Sequence, residues 1–96
     1  MRIAVIVSLT ALAALGAAVS LAQERRIALK EGPGLQRVEA NCAICHSLDY
    51  IVMNSPFLDR AGWDAEVKKM VNAFGAPVSP EDQQAIVDYL ARNYAR

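Results

Sequence analysis

Both cysteines and the only histidine of this 96-residue chain fall within five residues, Cys42-Ala43-Ile44-Cys45-His46. No other feature restricts the fold so strongly. Two thiols and an imidazole this close serve one local centre, and they leave no cysteine or histidine for any other. The C-x-x-C-H pattern is the attachment motif of a c-type haem. Two intervening residues bring both sulfurs to one edge of the macrocycle when the segment is roughly helical, and the adjacent imidazole then reaches the iron. The competing readings are weaker. A thioredoxin-like dithiol needs a βαβ context, which neither the length nor the periodicity supplies. A structural zinc site takes four ligands, mostly Cys and His, and the chain has only three such residues. A disulfide between cysteines this close would close a tiny loop and stabilise little. The expected cofactor is therefore one covalently bound haem c, held by Cys42 and Cys45 with His46 on the iron.

Ahead of the motif the chain opens like an export signal. Met1-Arg2 is a short positive start, and Ile3 to Val19 is apolar apart from Ser8, Thr10 and Gly16. Ser20-Leu21-Ala22 then offers small residues at the two recognition positions of a signal peptidase. Cleavage is expected after Ala22, which makes 1–22 the signal peptide and 23–96 the mature domain. An uncleaved anchor is the rival reading, since about 19 residues approach the length of a bilayer span. The Ala-rich composition and the cleavage site favour export to the periplasm, with no membrane span after cleavage.

Removing 22 of the 96 residues leaves 74, enough for one small domain. Without Arg2 the mature chain carries nine Lys and Arg against ten Asp and Glu. No basic patch points to nucleic acid and no acidic run to a disordered tail. A domain this small buries a modest core and usually needs a staple such as a cofactor.

Periodicity places the motif on helices. Ile27 and Leu29 alternate with charged residues in a segment too short to pack alone, read as an extended arm or a frayed terminus. Gly32-Pro33-Gly34 is a break. Leu35, Val38 and Cys42 then recur at helical spacing, so a first helix delivers the motif near its C-terminal end. Ser47 to Arg60 lacks a clean period and reads as a loop with short helical turns at most. Trp63, Val67, Met70, Val71 and Phe74 form one stripe of a second helix, with Gly75 as its C′ residue and Pro77 blocking resumption. Ser79, Pro80, Glu81 and Asp82 begin a last helix, as cap, first residue and acidic first turn. Its buried face is Ile86, Leu90 and Tyr94, widened by Val87 and Tyr89. The fold class is all-α.

With one histidine, a sixth iron ligand from this chain is a methionine or nothing. Met53 lies seven residues beyond His46, and would have to round the haem edge within about 25 Å of extended chain. Met70 lies 24 residues on, with a loop to carry the chain across, and is preferred. Met53 and an open or water-bound iron are the alternatives. His/Met ligation raises the reduction potential and suits electron transfer; an open position suits gas binding or peroxide chemistry. Trp63 is a candidate donor to a haem propionate, with Arg60 or Tyr50 able to serve the same end. The Pro56 carbonyl is a candidate partner for the second nitrogen of His46. No nucleophile–base pair survives once His46 is on iron, so catalysis by this chain alone is not expected.

From Cys42 through His46-Ser47-Leu48-Asp49-Tyr50-Ile51, then Met53-Asn54-Ser55-Pro56-Phe57-Leu58, the chain resembles the small cytochrome c subunit of bacterial sulfite dehydrogenases. Gly32-Pro33-Gly34 and the run from Trp63 through Met70 to Phe74-Gly75-Ala76-Pro77 continue the likeness, which covers roughly Ile27 to Tyr94. The haem motif is common to all c-type cytochromes; the segments after it point to the sulfite family. Pro56-Phe57-Leu58 also resembles the Pro-x-Leu segment that many small cytochromes place beside the proximal histidine. The resemblance implies a small single-domain cytochrome c fold, three or so helices around one haem. It further implies an exported electron carrier paired with a molybdenum-cofactor subunit that oxidises sulfite. Electrons would pass singly to a downstream soluble cytochrome or the respiratory chain. A freestanding periplasmic monohaem cytochrome, the electron-transfer subunit of a different dehydrogenase, and a haem sensor or small peroxidase with an open iron are the other readings.

Overall fold

The computed structural model describes residues 27–96, so the expected signal peptide and its cleavage site lie outside the described residues. Within them all regular structure is helical: α1 Leu35–Cys42, α2 Asp49–Asn54, α3 Arg60–Asn72 and α4 Pro80–Asn93. The count is four helices where about three were expected, because the segment after the motif closes a six-residue helix, α2. No helix among the described residues is long and apolar enough to cross a membrane.

The last helix is the one the others pack on. It starts as its sequence dictates: the Ser79 side chain accepts the Asp82 N–H at 3.1 Å, Pro80 sits at the first turn, and Glu81 and Asp82 face the positive helix end. Ile86, Val87, Tyr89 and Leu90 are all buried, and so is Tyr94 at its cap. Removing aliphatic side chains of this size from water stabilises by roughly 1.5–3 kcal/mol each. Both α1 and α3 pack against α4.

The start of α3 is capped by Asp59, whose carboxylate accepts the Gly62 N–H at 2.8 Å. Trp63, 2 % exposed, donates its indole N–H to the Tyr94 carbonyl at 2.9 Å, which ties the start of α3 to the end of α4. The expected apolar stripe lies within the helix through Val71, and Phe74, past the helix end, still shares the wall of a cleft with Val67, Met70 and Val71. The helix stops at Asn72, the Ala76 N–H returns to the Met70 carbonyl at 3.0 Å, and Gly75 turns the chain at φ 70°. Phe74 therefore lies beyond the helix and is 72 % exposed.

The arm is neither frayed nor free. Leu29 is buried in the core, and the two tyrosines of the C-terminal region hold the next residue by both its backbone groups. The Tyr89 hydroxyl donates to the Lys30 carbonyl at 2.5 Å, and the Lys30 N–H donates to the Tyr94 hydroxyl at 2.8 Å. Burial pushes the Tyr89 hydroxyl up to about 12, so it remains a donor at any ordinary pH.

Gly34 explains why the break before α1 must be glycine. It holds φ 94°, and a Cβ there would sit 2.9 Å from both the Ala85 carbonyl oxygen and the Tyr89 Cβ. Glycine is what lets the start of α1 press against α4. Gly75 shares the positive φ but has nothing within 4 Å of a Cβ. In urea unfolding, Gly75→Ala is expected to lose about 1–2 kcal/mol from its backbone conformation alone. Gly34→Ala adds an overpacking cost of about 1–3 kcal/mol to that. Equal losses at the two sites would mean that α1 and α4 are not in close contact.

Candidate functional site

The C-terminal end of α1 delivers Cys42, and the chain then turns through Ala43 to Cys45 before reaching His46. Opposite, α3 presents Val67, Met70 and Val71, all half-buried, with Val67 also packed against the core. Between the two lies a cleft of about 420 Å³ that holds Cys42, Cys45, His46 and Met70 in its lining, with Val78 and the buried Ile86 closing it towards α4. Clefts for cofactor-sized ligands run from about 300 to 1,000 Å³. No charged side chain lines it; Asn41, the thiols and the imidazole are its polar groups.

The two cysteines are free and differently placed, Cys42 half-buried and Cys45 exposed. Burial pushes the Cys42 thiol up to about 11, so it stays protonated at neutral pH. A metal-binding or nucleophilic cysteine is instead made acidic by positive neighbours. Among the described residues no three of His, Cys, Asp and Glu gather as an ion held by protein donors alone would need.

His46 Nδ1 lies 3.0 Å from the Ser47 carbonyl oxygen. A carbonyl only accepts, so this contact keeps the proton on Nδ1 and leaves the Nε2 lone pair for a metal. The Pro56 carbonyl is the candidate read from the sequence for this role; here the Ser47 carbonyl lies within reach of Nδ1. The Tyr50 ring packs on the imidazole with centroids 5.2 Å apart.

The methionines separate by position. Met70 is in the cleft lining, whereas Met53 is outside it and 70 % exposed. The suggested propionate contacts are engaged elsewhere. Trp63 has one N–H and gives it to Tyr94, and Arg60 pairs with Asp88 at 2.7 Å on the α3–α4 surface. Neither lines the cleft. Sequence reasoning did not anticipate Asn41 or Val78 as walls. Asn41 lies one residue before the motif, but Val78 sits in an aperiodic stretch between two prolines and carries no local signal.

Compared with known proteins, the chain matches no family model and no curated sequence.

Trp63→Phe keeps the ring but leaves the Tyr94 carbonyl without its donor. The expected loss is about 1–3 kcal/mol in urea unfolding, with no change in the absorption spectrum of a group bound in the cleft. A spectral shift at unchanged stability would return the indole to a cofactor-contacting role.

Proposed function

We propose that this chain is an exported monohaem c-type cytochrome, a carrier of single electrons rather than an enzyme, with the small cytochrome c fold around one covalent haem. The observation that carries the reading is the meeting of Cys42, Cys45, His46 and Met70 in the lining of one uncharged, mostly apolar cleft. Cys42 and Cys45 would hold the cofactor as thioethers. His46, its Nδ1 proton fixed by Ser47, would be the proximal ligand, and Met70 the distal one. Bound there, a haem supplies a one-electron couple, and thioether ligation raises its potential. Val67, Val71, Val78 and Ile86 would keep water from the buried edge.

Among partners, the resemblance of Cys42–Leu58 and Trp63–Pro77 to sulfite dehydrogenase subunits favours a molybdenum-cofactor subunit as the electron donor and a soluble cytochrome or oxidase as acceptor. A freestanding carrier, or a subunit of another dehydrogenase, shares every feature of the site and differs only in donor.

The test is spectroscopic. The oxidised wild-type protein should show the sulfur-to-iron charge-transfer band, Met70→Ala should lose it and Met53→Ala should keep it. The reverse pattern would exchange the two methionines, and fast carbon monoxide binding by the reduced wild type would replace the carrier with an open-iron sensor or peroxidase. Reduction of the haem by sulfite only when the molybdenum subunit is added would identify the donor.

A further inference from the structure

Tyr50 stands on the first turn of α2, beside Ile51, which is buried in the core. Asn54 anchors it from the next turn, its side-chain N–H donating to the Tyr50 carbonyl at 2.8 Å. The ring is 38 % exposed, so it is not core filling. One face of it meets His46, with centroids 5.2 Å apart and planes tilted by 51°. The hydroxyl, at the far end, lies 3.3 Å from Glu66 Oε2 on α3. The other oxygen of Glu66 pairs with Lys69 at 2.8 Å, and Glu66 stands one turn before Met70. Among the described residues, Tyr50–Glu66 is the side-chain hydrogen bond that joins α2 to α3.

We infer that Tyr50 is a positioning residue that couples the two iron-ligand segments, its ring bearing on His46 and its hydroxyl holding, through Glu66, the turn of α3 that carries Met70. The inference rests on the haem reading and deepens it. A ring against the imidazole limits its rotation, and the hydroxyl's 3.3 Å contact with the carboxylate, long for a hydrogen bond, links α2 to the turn of α3 before Met70. Lys69 keeps the carboxylate oriented for both. Together they bear on how firmly the thioether of Met70 stays in place, because any shift of α3 away from the motif carries that thioether with it.

The experiment titrates the oxidised holoprotein with imidazole, which binds iron only when Met70 departs, and records the reduction potential alongside. Tyr50→Phe, which keeps the ring and loses the hydroxyl, is expected to raise imidazole affinity several-fold, up to about tenfold for one lost hydrogen bond, and to lower the potential. Tyr50→Ala should exceed it. Glu66→Gln, which retains a carbonyl acceptor, should fall between wild type and Tyr50→Phe. Variants whose imidazole affinity and potential match the wild type, even where urea stability falls, would overturn the inference while leaving the haem reading intact. A wild-type protein without covalent haem, or one whose charge-transfer band survives Met70→Ala, would overturn both.

Discussion

Ile86 is 1 % exposed and belongs at once to the hydrophobic core and to the wall of the cleft. The domain depends on that continuity. The buried face of α4 gathers α1, α3 and the N-terminal arm, and the side that faces the cleft is the same packed surface extended by one residue. Gly34 allows α1 to approach α4 closely, and Trp63 bonds the far end of the same helix. With both neighbours fixed to one support, the end of α1 and the middle of α3 stand on opposite sides of one opening. The position of Cys42 relative to Met70 is thus set by contacts neither residue makes.

The site itself divides its labour by chemistry. Burial keeps the Cys42 thiol neutral, and a neighbouring carbonyl orients the His46 proton. Aliphatic side chains on α3 and before α4 supply the walls. No charged side chain lines the cleft.

Much of this was legible in the chain because it is local. The cap, proline and acid pair at Ser79–Asp82 specify the start of α4, and Ile86, Leu90 and Tyr94 specify its inner face at a 3.6-residue period. The five-residue motif puts both thiols and the imidazole at one place, and Met70, preferred over Met53 on chain length, is the methionine that lines the cleft with them. Contacts between distant residues were not legible. The Trp63 N–H finds its acceptor 31 positions away, and Lys30 is held by hydroxyls 59 and 64 positions away. Phe74 illustrates the limit of periodicity: it keeps the register of α3, but Gly75 turns the chain and the helix has already ended. For α2 there was no repeating apolar pattern to read, only the single buried Ile51.

The central claim is that Cys42 and Cys45 fix one haem to this chain. Intact-mass measurement of the exported protein under denaturing conditions tests it most directly. The expected product is a mature polypeptide heavier by one haem that stays attached through denaturation, with the added mass mapping to the peptide that contains Cys42 and Cys45. A polypeptide of bare mass with two free thiols, or a haem that separates on unfolding, would contradict it.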